Sequence, residues 1–205
     1  MTLPRFYPIL DTAVIERCRL NLVDAAEALL NAGARIIQLR HKAHFHRDLY
    51  ACATRIAELC ASARATFVIN DRADIAMLLD AAVHVGQDDL PPADVRRIGG
   101  PNRTLGFSTH NEAQLRAAAA EPIDYVALGP IFGTQSKFNP DPEVGLEELR
   151  RLKPLAQAPL VAIGGIDRTK AASVWAAGAD SIAVVGDLYP DVRRSAEDWM
   201  KLAHE

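Results

Sequence analysis

Short aliphatic and β-branched runs recur eight times along this chain, alternating with helix-like stretches rich in Ala, Leu, Glu and Arg. The runs are residues 6–10, 35–39, 66–69, 82–85, 104–107, 125–128, 160–163 and 181–185. The helical stretches between them are 23–32, 48–63, 73–79, 93–98, 111–119, 146–155 and 169–176, and a last one at 195–203 closes the chain. The runs are continuously apolar, as expected of parallel strands covered on both faces. Leu22, Ala26, Leu29 and Gly33 recur at helical spacing, as do Ile56, Leu59 and Cys60, so the helices carry one apolar face. Eight βα units in 205 residues predict an α/β fold, a (β/α)8 TIM barrel forming a single domain over 1–205. A typical barrel has about 250 residues, so the loops should be short. The competing open doubly wound sheet needs a Gly-rich turn after the first strand, and Leu10-Asp11-Thr12 stands there instead.

Composition narrows the function classes. The formal net charge of -3 is too mild for a nucleic-acid footprint. No apolar run approaches the roughly 20 residues of a membrane helix. Cys18, Cys52 and Cys60 form an odd, sparse set without CxxC spacing, which argues against a disulfide framework or a zinc site. No basic-then-apolar leader precedes Pro4, so the expected location is the cytoplasm, with reduced thiols. The expected partners are small molecules, with neither nucleic acid nor membrane, and a homo-oligomer is left open.

In such a barrel the chemistry sits at the C-terminal ends of the strands. The residues just past each run are far more polar than the runs themselves. Gln38, Arg40, His41 and Lys42 follow the second, Asn70 and Asp71 the third, Gln87, Asp88 and Asp89 the fourth, and Ser108, Thr109 and His110 the fifth. A long loop from Gly129 to Lys137 follows the sixth, Gly164-Gly165 the seventh and Gly186 the eighth. Taken alone, each Asp fits a helix N-cap, a common role after a strand. Taken together, Asp71 and Asp89 end consecutive strands and form a candidate Mg²⁺ pair, because Mg²⁺ is held by one or two carboxylates plus substrate phosphates. Arg40 and Lys42, spaced by two, can face the same side and meet phosphate oxygens, although solvated surface charge is the ordinary fate of such a triplet. Gly164-Gly165 and Gly186 suit the phosphate site that barrels build after strands 7 and 8, supported by a helix start near Thr169. His110 fits a general base or a cap on the following helix. His41, His44 and His46 lack convincing partner spacing and are assigned no metal. His84, inside a buried run, reads as a satisfied core residue.

Six segments together resemble thiamine-phosphate synthase: Ile37-Gln38-Leu39-Arg40-His41-Lys42, Ile69-Asn70-Asp71, His84-Val85-Gly86-Gln87-Asp88-Asp89, Gly106-Phe107-Ser108-Thr109-His110, Gly129-Pro130-Ile131-Phe132 and Ala162-Ile163-Gly164-Gly165-Ile166. The resemblance spans nearly the whole chain in one order. It implies condensation of hydroxymethylpyrimidine diphosphate with hydroxyethylthiazole phosphate, giving thiamine phosphate and pyrophosphate. It further implies that Gln38, Arg40, Lys42 and Asn70 bind the pyrimidine diphosphate and that Asp71 and Asp89 hold Mg²⁺. Ser108 and Lys137 would contact the pyrophosphate or pyrimidine. Thr134, Ser136, Gly165, Val185 and Gly186 would hold the thiazole phosphate. Arg40, Lys42, Ser108 and Lys137 then carry the catalysis, which is dissociative and needs no covalent nucleophile. His41 stands where the family often has Glu, Ser136 where it often has Thr, and Gly186 where it often has Ser.

Three alternatives compete. A thiazole tautomerase-like member of the same superfamily would keep the barrel, the Gly-Gly site and a histidine near 110, but would not need the diphosphate and metal set. A sugar-phosphate isomerase would leave the Asp pair and the strand-2 cations unused. A non-catalytic thiamine-precursor-binding protein would form no product.

Overall fold

A computed structural model describes residues 2–133 and 141–204. Its strands are β1 (Phe6–Asp11), β2 (Ile36–Arg40), β3 (Thr66–Asn70), β4 (Ala82–Val85), β5 (Leu105–Thr109), β6 (Tyr125–Leu128), β7 (Leu160–Ile163) and β8 (Ser181–Val184). They pair in parallel and in sequence order, and β8 returns to β1, which closes the barrel. The helices around it are α1 (Thr12–Arg17), α2 (Leu22–Asn31), α3 (Arg47–Ala63), α4 (Ala73–Leu78), α5 (Pro92–Gly99), α6 (Glu112–Ala118), α7 (Gly145–Leu152), α8 (Ala171–Ala176) and α9 (Val192–His204). The expected α/β barrel is therefore present. No helix among the described residues is long and apolar enough to cross a membrane.

Helix α1 is absent from the sequence reading. Val14 and Ile15 are β-branched and lower its helix propensity. What nucleates it is Asp11, whose Oδ1 accepts the backbone N–H groups of Ala13 and Val14.

The pleat sorts each strand into two sets. Phe6, Leu10, Ile37, Leu39, Phe67, Ile69, Leu128 and Leu160 point outward and pack under the helices. Tyr7, Ile9, Ile36, Val68, Ala82, Tyr125, Ala127, Val161 and Ala183 point inward and fill the barrel. Continuing the inward parity by two residues leads from Ile9 to Asp11, from Ile36 to Gln38 and Arg40, from Val68 to Asn70, from Ala82 to His84 and from Gly106 to Ser108. The lower barrel is thus apolar, and the upper layer is polar because the same faces change chemistry.

The opposite end is closed by a repeated device. Asp124, just before β6, accepts the Leu105 N–H of β5 at 2.7 Å. Asp180, just before β8, accepts the Leu160 N–H of β7 at 2.7 Å. Each carboxylate satisfies a backbone donor at a strand start.

Helix α9 locks β1 from outside. Trp199 is fully buried and stacks on Phe6, with centroids 5.5 Å apart and 5° between planes. Its indole N–H donates to Asp187 at 2.8 Å. Trp199→Ala should destabilise the protein by about 3–5 kcal/mol, the range for deleting a large buried aromatic. Denaturant unfolding checks this, and a loss below about 1 kcal/mol would show that α9 does not anchor the barrel.

Candidate active site

A cavity of about 920 Å³ opens at the C-terminal ends of the strands. Its wall includes Gln38, Arg40, Lys42, Asn70, Asp71, Asp89, Ser108, Gly165, Val185 and Gly186, so these sequence candidates share one mouth. Thr134, Ser136 and Lys137 lie outside the described residues.

Asp71 has φ 63, a left-handed conformation that Asp tolerates better than bulkier residues. Its N–H donates to the His84 carbonyl at 2.8 Å, tying the β3 end to β4. From that turn its carboxyl group faces that of Asp89. Burial raises the Asp71 pKa above its ordinary value, and the neighbouring Asp89 carboxyl raises it further, while Lys42 pulls it down. Lys42 reaches Asp71 at 2.6 Å. Asp89 is held by the Gly86 N–H at 2.7 Å. Asp88, the ambiguous neighbour in the sequence, lies on the same wall, but Asp89 is the one that meets Asp71.

Arg40 is engaged by Asp11, whose other oxygen caps α1. One buried carboxylate thus fixes both a helix start and a guanidinium at the mouth. Asn70 presents a buried side-chain N–H group with no partner among the described residues, on the same wall. An orphaned donor of this kind calls for a ligand acceptor.

The cavity floor is a string of paired polar groups. Gln38 pairs with Tyr7 at 2.9 Å, Tyr7 with Tyr125 at 2.8 Å, Tyr125 with His84 Nδ1 at 3.0 Å, and His84 Nε2 with Ser108 at 2.8 Å. His84 is buried with both ring nitrogens paired, as the sequence reading expects, and it also lines the cavity. Burial pushes its pKa down to about 4, against an opposing pull from the Asp89 charge.

On the opposite wall Gly165 adopts φ 63, and a Cβ there would lie 2.4 Å from the Gly133 carbonyl oxygen, so no side chain fits. Gly186 differs: a Cβ there would meet nothing within 4 Å among the described residues. The helix start near Thr169 is already satisfied. Asp167 Oδ1 accepts the Thr169 and Lys170 N–H groups at 3.0 and 3.2 Å, and α8 begins only at Ala171. A phosphate here would rely on the glycine backbone and not on that helix. His110 pairs through Nδ1 with the Gly129 carbonyl at 2.6 Å, and its backbone N–H donates to Gln114, so it braces the loop after β6.

The sequence reading missed Asp11, Tyr7, Tyr125 and His84. Inward parity identifies all four: Tyr7 and Asp11 flank Ile9 by two residues, and His84 follows Ala82 by two.

A family profile described as thiamine monophosphate synthase matches residues 6–188. The chain is 42% identical to a thiamine-phosphate synthase of Koribacter versatilis, covering 100% of this chain and 98% of that protein. It is 36% identical to a thiamine-phosphate synthase of Methanospirillum hungatei, with 96% of each covered. Among solved structures, a thiamine phosphate pyrophosphorylase from Pyrococcus furiosus superposes with a TM-score of 0.87 at 29% identity, covering 98% of this chain and 96% of that one.

The buried neutral imidazole has a measurable consequence. The unfolded His84 has the ordinary value of 6.5 and the folded one about 4, so between those values the unfolded state binds more protons. Stability is therefore present above pH 6.5 and is lost as pH falls towards about 4, by about 3 kcal/mol in full. Asp71, with its raised pKa, acts in the opposite direction. Denaturant unfolding across this window should show the loss in the wild type and not in His84→Gln, and parallel profiles for the two would contradict it.

Proposed function

Since the chain belongs to the thiamine monophosphate synthase family, we propose that it joins hydroxymethylpyrimidine diphosphate to hydroxyethylthiazole phosphate in this cavity. The products are thiamine phosphate and pyrophosphate, and the enzyme is a transferase of thiamine biosynthesis. The observation that carries the reading is the contact of Asp71 with Asp89 at the mouth, with Lys42 and Arg40 beside it. Two facing carboxyl groups repel when both are ionised, Lys42 offsets part of that charge, and oxygen ligands of this kind fit Mg²⁺. When bound, Mg²⁺ neutralises diphosphate oxygens and eases departure of pyrophosphate.

The chain's own groups do the remaining work. Arg40 keeps one nitrogen on Asp11 and has others for phosphate oxygens. Lys42 and Lys137 add point charges, and Ser108 a hydroxyl. Gln38 and Asn70 supply amides for the pyrimidine diphosphate. Thr134, Ser136 and the backbone at Gly165, Val185 and Gly186 would take the thiazole phosphate. Such a site stabilises the leaving anion electrostatically and requires no covalent intermediate. A thiazole tautomerase would leave the Asp pair, Arg40 and Lys42 without use. We read the chain as one domain over residues 1–205. Three free cysteines support a reducing, cytoplasmic setting.

The test is product formation from both substrates with Mg²⁺. Asp71→Asn should lower turnover by about 10²–10³, the scale of losing a preorganised electrostatic contact. EDTA should have a comparable effect, with circular dichroism unchanged in the variant. Full turnover in both cases would remove the metal role.

A further inference from the structure

The polar string on the cavity floor has a direction. Gln38 donates its amide N–H to the Tyr7 oxygen at 2.9 Å. Tyr7 is buried, and its hydroxyl has one other partner among the described residues, the Tyr125 oxygen at 2.8 Å, so its hydrogen goes there. Tyr125 has then accepted, and its own hydrogen goes to His84 Nδ1 at 3.0 Å. An imidazole that accepts at Nδ1 carries its proton on Nε2 when neutral, and Nε2 faces Ser108 Oγ at 2.8 Å. The Ser108 hydrogen is left without an acceptor in the string, and the side chain lines the cavity.

The opposite direction fails at Tyr7. Its oxygen would accept from both Gln38 and Tyr125, and its hydrogen would be buried without an acceptor. The packing protects the arrangement. A Cβ at Gly106 would lie 2.4 Å from the Tyr125 oxygen and 2.5 Å from His84 Nδ1, so a side chain on β5 would occupy the Tyr125–His84 contact. Glycine at this inward position is what lets strands β4 and β6 bond across β5.

We propose that Gln38, Tyr7, Tyr125 and His84 form a positioning chain that orders every proton in it, so that Ser108 offers its hydroxyl hydrogen, and not a lone pair, to an anionic oxygen in the mouth. The anion is the diphosphate of the proposed function, and the inference rests on that reading. Four buried residues from four strands thereby set the polarity of one hydroxyl at the rim. The hydrogen bond they direct strengthens as negative charge collects on the leaving group.

Nitrogen-15 NMR of histidine-labelled enzyme at neutral pH reads the tautomer directly. His84 should carry its proton on Nε2, with Nδ1 unprotonated. Tyr125→Phe keeps the ring and removes the link. It should lower kcat by about 10- to 100-fold, the range for losing an outer hydrogen-bond partner, with little change in KM. In a Ser108→Ala background the same substitution should cost nothing more, because the chain acts only through Ser108. An Nδ1–H tautomer in the wild type, additive losses in the double variant, or wild-type turnover in Ser108→Ala would each overturn the proposal. Failure of the diphosphate reading registers separately, as no thiamine phosphate formed by the wild type while His84 still carries its proton on Nε2.

Discussion

A closed parallel barrel admits side chains to its interior only at every second residue of each strand. All else in this molecule follows from how those inward positions are spent. Below, they hold Ile36, Val68, Ala82, Ala127, Val161 and Ala183, which fill the barrel and exclude water. Two residues further along the same faces they hold Asp11, Gln38, Asn70, His84 and Ser108. Residues separated by up to about a hundred positions in the chain thereby line one cavity. Strand neighbours then decide who meets whom: β2, β3 and β4 are adjacent, which brings Lys42, Asp71 and Asp89 together.

Two cations at the mouth are already paired with carboxylates of the chain. Arg40 is compensated by Asp11, and Lys42 by Asp71. The Asp71–Asp89 contact is the exception, since burial and the second carboxyl both resist ionisation of the first. On the proposed function a metal ion would offset that pair, and Arg40 and Lys42 would meet the diphosphate beside it. The glycine wall after β7 and β8 is built differently: Gly165 is demanded by its backbone geometry, whereas a side chain at Gly186 would meet none of the described residues within 4 Å.

Strand positions were legible because runs buried on both faces are apolar end to end, and the observed boundaries differ from the expected ones by at most two residues. Helix α1 was illegible because Val14 and Ile15 read as strand formers, while the capping oxygen that overrides them belongs to Asp11 at the close of β1. The Asp71 and Asp89 pairing was legible from their places at the ends of consecutive strands. The floor was not. Tyr7 and Tyr125 look like core aromatics until the strand register puts their hydroxyls 2.8 Å apart. His84 sits in an apolar run, and only its inward parity distinguishes it from Val83 and Val85. In the turn before α8 the Asp167 side chain holds the Thr169 and Lys170 amides, a local pairing the sequence does not announce.

The most direct measurement is a crystal structure with Mg²⁺ and pyrophosphate bound. The account predicts the metal between the carboxylates of Asp71 and Asp89, with pyrophosphate oxygens against Arg40, Lys42 and the Ser108 hydroxyl. A metal bound elsewhere, or pyrophosphate seated only on the Gly165 and Gly186 wall with no metal at Asp71 and Asp89, would contradict it.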